Sequence, residues 1–132
     1  TDFNQMFASC NKFAGNNVAS LDITSAEDMA DMFAGCSIFN KDLSSWGPAL
    51  SNVNNFARMF QNCSYYSQPM NTWDVTGATT QSSMAGMFQG CTVFNENISN
   101  WCVPTFTGEP DNFSQGANLF ASGNKPVWGT CP

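Results

Sequence analysis

The cysteines have the widest chemical capacity in this chain, because a thiolate can bind a metal, attack a carbonyl carbon or enter a disulfide. The chain has six cysteines and no histidine. It therefore lacks the commonest general base, the residue that activates Ser and Cys nucleophiles in catalytic triads, and the commonest zinc ligand. We expect no catalytic residue, no metal and no cofactor, and we expect the protein not to be an enzyme.

Four cysteines recur at intervals of 26 to 28 residues, without the CxxC pairing of a zinc knuckle. They are Cys10, Cys36, Cys63 and Cys91. Packed helices lie about 8–10 Å apart, beyond the roughly 7 Å limit between the Cα atoms of a disulfide. A ladder of buried thiols is therefore favoured, with disulfides between neighbouring repeats as the alternative. Cys102 and Cys131 fall outside the ladder and are expected to pair, which implies an oxidising, extracellular setting.

Carboxylates are the other candidates for catalysis or metal binding. Asp28 and Asp31 are close enough in the sequence to lie on neighbouring faces of one helix. Acidic side chains are mostly solvent-exposed in folded proteins, so we interpret this pair as part of a solvated face. A hydrolytic enzyme is the least favoured functional hypothesis.

An internal repeat predicts the elements that position these side chains. An apolar quartet at i, i+3, i+4 and i+7 occurs four times, at intervals of 26, 27 and 28 residues. The quartets begin at Phe3, Met29, Phe56 and Met84, and each ends on a recurring cysteine. This spacing places four side chains on one stripe of an α-helix. The sequence therefore predicts one short helix in each repeat.

A second shared phrase, which contains Trp46, Trp73 or Trp101, follows three of the quartets. Trp73 with Val75, and Trp101 with Val103, alternate with polar residues as a short strand with one buried face does. An aromatic platform for sugar rings is one interpretation of the tryptophans. The tryptophans lie on the same side of the alternating pattern as the valines, which favours positions in the core.

One helix and one strand bury too little apolar surface to fold alone, so the repeats must stack on their neighbours. The sequence predicts an α/β solenoid, a leucine-rich-repeat-like stack of about four strand–helix repeats with a parallel strand ladder. Residues 1–104 form this repeat domain. Residues 105–132, which are rich in Gly and Pro, are expected to form a C-terminal cap.

The stretch MFAGCSIFN at residues 32–40, followed by phrases of the form Ile/Leu-Ser-x-Trp-x-Val, resembles the repeat of BspA-like leucine-rich-repeat surface proteins, including the mycoplasma-lipoprotein type. The resemblance covers residues 3–103. It implies a leucine-rich-repeat-like module of a microbial cell surface or a phage virion, often adhesive and without catalytic residues. Leu21 in place of Trp, and Tyr66-Ser67 in place of Phe-Asn, depart from the pattern.

Polar residues between the strand anchors are expected to project outward together as a recognition face. They are Ser44, Ser45, Asn71, Thr72, Ser99 and Asn100. A face of small hydroxyls and amides suits weak, repeated contacts, and glycans are candidate ligands. Three asparagines match the N-glycosylation pattern, namely Asn62, Asn97 and Asn112.

Partners are further limited by charge and hydropathy. Four scattered basic residues and a net charge of -6 argue against nucleic acid. No apolar run approaches the roughly 20 residues of a membrane span. The N-terminal face at Phe3, Met6 and Phe7 is expected to contact other copies or a longer parent chain. The alternative function is therefore a structural protomer of a filament, fibre or phage appendage built by end-to-end stacking.

Overall fold

The computed structural model describes residues 1–132, and regular secondary structure is sparse in it. Its only helices are 3-10 helices, at Val18–Ser20, Ser44–Asn52, Gln81–Met84 and Ser122–Asn124. Pairing of the strand type is confined to two isolated parallel bridges, Asp2 to Asp28 and Asp28 to Asn55. The predicted α/β solenoid, with a leucine-rich-repeat-like parallel strand ladder, is therefore wrong.

The four apolar quartets lie on chains of tight turns and not on α-helices. We call residues 3–10, 29–36, 56–63 and 84–91 the first to fourth turn segments. Each contains two residues with positive φ, four positions apart, such as Asp31 at 56° and Gly35 at 78° in the second segment. An α-helix requires negative φ at every residue. These left-handed residues therefore end helical winding within each segment.

Backbone hydrogen bonds explain why this conformation is stable. In the second turn segment the N–H of Met32 closes a turn onto the carbonyl of Met29, whereas the N–H of Phe33 donates to Met59 in the next segment at 2.9 Å. Closing bonds and cross-segment bonds alternate along every turn segment. Half of the N–H groups thus bind the neighbouring segment. In an α-helix the same N–H groups would have bound carbonyls of their own helix.

Successive apolar stripes pack against one another, as the sequence predicted, but they do so on turns. The ring of Phe33 stacks between Phe7 and Phe60, with centroids 5.6 Å from each. Phe88 continues this first aromatic column 5.8 Å beyond Phe60. A second aromatic column runs parallel to it and consists of Phe13, Phe39, Tyr66 and Phe94. The other members of both columns belong to a single core of 34 buried residues, and Phe7 and Phe13 pack against it.

The predicted strands at Trp73–Val75 and Trp101–Val103 are not strands, although their large side chains are buried as expected. Each indole N–H donates to a backbone carbonyl of the preceding repeat. Trp73 donates to Leu43 at 3.1 Å, and Trp101 to Met70 at 2.9 Å. The tryptophans therefore connect repeats through their side chains, and no aromatic platform is exposed there.

A fifth turn segment at residues 110–117 lies beyond the four repeats recognised in the sequence. Gly86, Phe88 and Gly90 donate to the carbonyls of Asp111, Phe113 and Gln115 at 2.8–2.9 Å. The chain then returns alongside the preceding repeat, where Val103 donates to Thr130 at 2.8 Å. Trp128 packs against Phe106 and edge-on against Phe113 at this end of the core.

None of the helices is long and apolar enough to cross a membrane.

Candidate recognition surface

The predicted polar face is present on the surface, at turns and a 3-10 helix in place of the expected strands. Ser45, Asn71, Thr72 and Asn100 are exposed, whereas Ser44 and Ser99 are partly buried. Side-chain hydrogen bonds connect these residues from one repeat to the next. Thr72 donates its hydroxyl to the carbonyl of Ser44 at 2.8 Å. Asn100 donates its side-chain amide to the carbonyl of Asn71 at 2.7 Å.

Part of this face forms a shallow, open depression. Its lining consists of one proline and five polar residues, namely Pro69, Asn71, Glu96, Asn97, Ser99 and Asn100. Three of the six predicted recognition residues therefore come together. The other three, Ser44, Ser45 and Thr72, lie outside the depression.

Local hydrogen bonds hold the polar groups of the depression in place. The Asn97 side-chain oxygen accepts hydrogen bonds from the backbone N–H of Ser99 at 3.0 Å and from its hydroxyl at 2.7 Å. Ser67 donates to the Glu96 carboxylate at 2.8 Å. Glu96 is the only charged residue of the lining.

A second acidic group lies at the start of the polar face. Asp42 accepts a hydrogen bond from the backbone N–H of Ser44 at 2.8 Å. Hydrogen bonds from Ser44 lower the pKa of this carboxyl below its usual value. Asp42 and Glu96 together give the face an acidic character.

Sequence reasoning missed an exposed apolar row beside the second aromatic column. Its members are Ile38, Tyr65, Val93 and Leu119, with 45%, 63%, 38% and 58% of their surfaces exposed. The preceding residues are in register, because Ser64 donates to the carbonyl of Ser37 and Thr92 to that of Ser64, both at 3.2 Å. Ile38, Tyr65 and Val93 each lie two positions after a repeat cysteine. This regular spacing is the sequence signal from which the row could have been predicted.

Three of the four repeat cysteines form the predicted buried ladder. Cys36, Cys63 and Cys91 are free thiols with no exposed surface, and each Sγ donates to a phenylalanine carbonyl of the preceding turn segment at 2.9–3.0 Å. Burial raises the pKa of Cys36 to about 11 and that of Cys91 to about 12. It also raises the pKa of Cys63 well above its usual value. These thiols are therefore structural and not nucleophilic.

Cys10 does not belong to the buried ladder, contrary to the prediction. Its side chain is exposed, because no turn segment packs against the outer side of the first one.

Cys102 and Cys131 form the predicted disulfide, which joins the last repeat to the C-terminal end of the chain.

The remaining polar candidates are accounted for by local contacts or by exposure. The Asp31 carboxylate makes a two-point ion pair with Arg58, at 2.7 and 2.9 Å, and Asp28 accepts from Ala30 and Asn55. No group of three His, Cys, Asp or Glu residues is arranged to hold a metal ion. The three glycosylation-pattern residues Asn62, Asn97 and Asn112 are all exposed.

A family model matches most of the chain. The family model described as "Mycoplasma protein of unknown function, DUF285" matches residues 1–125. No curated protein and no solved structure matches the chain. The match fits the mycoplasma-type part of the resemblance, whereas the BspA-like leucine-rich-repeat part is not confirmed.

Proposed function

We propose that this chain, which belongs to the DUF285 family, is a non-enzymatic recognition module that binds ligands through its polar face. The single observation that supports this proposal is the depression lined by six residues, of which all but Pro69 have polar side chains. Its amides and hydroxyls are held by hydrogen bonds to neighbouring groups and are repeated on adjacent repeats. Fixed polar groups on rigid turns lose little entropy when a ligand binds.

Neutral glycans are the ligand class that this chemistry fits best. Side-chain amides both donate and accept hydrogen bonds, which matches the hydroxyl groups of a sugar. The Glu96 carboxylate only accepts hydrogen bonds and repels anions. We therefore propose binding of neutral glycans in preference to sulfated or sialylated ones.

An extracellular or cell-surface location, or a place in a phage virion, is part of the same proposal. The disulfide between Cys102 and Cys131 supports it, because disulfides persist mainly in oxidising environments. Such a location would bring the polar face into contact with cell-surface polysaccharides.

A glycan array with neutral, sulfated and sialylated members tests the proposal. We expect binding to neutral members, and loss of that binding in the Asn71→Ala/Asn100→Ala double variant. Asn54→Ala provides the matched control, because Asn54 lines a different polar depression. Absence of any glycan binding, or equal binding by the double variant, would refute the proposed ligand class.

The charge of Glu96 gives a second readout. Glu96→Gln keeps the size of the side chain and removes its negative charge. We expect this variant to bind anionic glycans more tightly than the unmodified chain does, without loss of folding. An unchanged preference between neutral and anionic glycans would show that Glu96 does not face the ligand.

A further inference from the structure

The first turn segment presents a row of unused backbone acceptors. The carbonyls of Asp2, Asn4, Met6 and Ala8 accept no hydrogen bond. The equivalent carbonyls of the second segment, including those of Ala30 and Met32, accept N–H groups of the first segment at 2.6–3.0 Å. The first segment therefore has the acceptor side of a junction that already occurs four times in this chain.

The fifth turn segment presents the matching donors. The N–H groups of Asn112, Ser114 and Gly116 donate to no acceptor, and they alternate with residues whose N–H groups close turns. Equivalent N–H groups of the fourth segment donate to the fifth segment. Residue 110 is a proline and has no N–H. The donor row thus consists of three N–H groups. The junction between the fourth and fifth segments is also formed by three N–H groups.

The side chains at the two ends differ in chemistry. At the N-terminal end, Phe7 and Phe13 are partly exposed, and 49% of the surface of Met6 is exposed. At the other end the Lys125 ammonium lies 5.6 Å from the ring centre of Phe120. This ammonium also makes an ion pair with Glu109 at 3.3 Å and donates to the Ser114 hydroxyl at 2.6 Å.

We propose that the N-terminal edge, residues 2–8, binds the fifth turn segment of a second copy of this chain, by the same hydrogen bonds that join successive segments within one copy. Asn112, Ser114 and Gly116 of one copy donate to Asn4, Met6 and Ala8 of the next. Because the two surfaces differ, the contact is head-to-tail and can continue beyond two copies. The surface is separate from the proposed recognition face.

One pair of residues makes the register testable. Gln5, Asp31, Arg58, Gly86 and Asn112 are equivalent positions of the five turn segments, and all have positive φ. Asp31 and Arg58, from adjacent segments, form an ion pair at 2.7 Å. In a head-to-tail contact, Asn112 of one copy takes the place of Asp31, and Gln5 of the next copy takes the place of Arg58.

The experiment measures self-association of the full chain by sedimentation velocity at low salt, up to millimolar concentration. We expect weak, concentration-dependent association of the unmodified chain. The Gln5→Arg/Asn112→Asp variant should associate about two- to fivefold more tightly, as an exposed ion pair allows. The Gln5→Asp/Asn112→Asp variant should associate more weakly than the unmodified chain. Both differences should diminish at high salt.

Control variants separate this contact from other modes. Thr79→Arg/Asn54→Asp carries the same pair of charges at exposed sites away from both ends and should leave association unchanged. Association of two N-terminal edges would respond to Gln5→Arg alone and ignore Asn112→Asp, which would overturn the head-to-tail arrangement. A chain that stays monomeric at every concentration, in both the unmodified and the oppositely charged form, would overturn the proposal.

Discussion

The ring of Tyr66 stacks on the ring of Phe39 with centroids 5.6 Å apart and planes 7° apart, and the Tyr66 hydroxyl has no hydrogen-bond partner. The same position is Phe in the flanking repeats, at Phe39 and Phe94. Tyr66 is completely buried, and burial raises the pKa of its hydroxyl well above its usual value. The Tyr66 hydroxyl is therefore a buried polar group that the stacking of the aromatic column does not require.

Tyr66→Phe should increase stability, because it removes a buried hydroxyl that lost its water on folding and gained nothing in return. We expect the free energy of unfolding to rise by about 1 kcal/mol, within the cost of one unsatisfied buried group. Urea denaturation followed by tryptophan fluorescence measures the change. Tyr65→Phe is the control and should have almost no effect, because 63% of Tyr65 is exposed. A destabilised Tyr66→Phe variant would contradict the assignment.

The free thiols should react in two classes. Cys10 is exposed, whereas Cys36, Cys63 and Cys91 are buried. A thiol reagent such as dithionitrobenzoate should therefore modify one thiol rapidly in the native chain and three more only after unfolding. Cys10→Ser should abolish the fast phase and leave the slow one intact. Rapid reaction of two or more thiols in the native chain would show that the ladder is accessible.

Stability should fall in alkaline solution because of the buried thiols. Folding raises the pKa of Cys91 from 9.0 to about 12. Above pH 9 the unfolded chain loses this proton and the folded chain keeps it, so the free energy of unfolding decreases as the pH rises. Between the pKa of the unfolded chain and that of the folded chain, such a group lowers the free energy of unfolding by about 1.4 kcal/mol for each pH unit.

Denaturation of the unmodified chain and of Cys91→Ser between pH 8 and 11 measures this contribution. Between pH 8 and 11 the variant should lose less stability than the unmodified chain, by about 2–3 kcal/mol. Cys10→Ser is the control and should follow the unmodified chain, because the Cys10 thiol is already exposed when folded. Identical slopes for Cys91→Ser and the unmodified chain would disprove the role of Cys91.

Gly47 allows a close approach between two repeats. A Cβ atom at this position would overlap the backbone carbonyl of Thr72, which cannot move aside like a flexible side chain. We expect Gly47→Ala to lower the free energy of unfolding by about 1–3 kcal/mol, as overpacking does. Gly123→Ala is the matched control, because a Cβ atom there meets nothing within 4 Å. Thermal denaturation of both variants tests the difference, and equal melting temperatures would contradict it.

Residue type and interval were enough to predict burial in the second, third and fourth repeats and the adjacency of successive repeats. The last three apolar quartets, the buried tryptophans of the repeats and the pairing of Cys102 with Cys131 follow from them, and the structure contains all three. Burial depends mainly on the side chain, so a periodic pattern of apolar residues is enough to predict it.

The backbone conformation and the extent of the stack depend on contacts between segments that are distant in the sequence. The i, i+3, i+4, i+7 spacing places side chains on one side of an α-helix and also on one side of consecutive tight turns, so the pattern does not distinguish the two. The turns prevail because left-handed residues such as Asp31 and Asn62 direct alternate N–H groups to the next segment. Those hydrogen bonds exist only when two segments are adjacent.

The same dependence on neighbours explains the individual errors. Cys10 has the same local sequence signals as Cys36, and it is exposed only because nothing packs on the outer side of the first segment. The fifth turn segment has Ser114 where the others have Phe, so its sequence no longer shows the quartet, yet hydrogen bonds from Gly86, Phe88 and Gly90 hold it in the same conformation. Residue type predicts what a side chain prefers, and only the packed neighbour decides whether that preference is met.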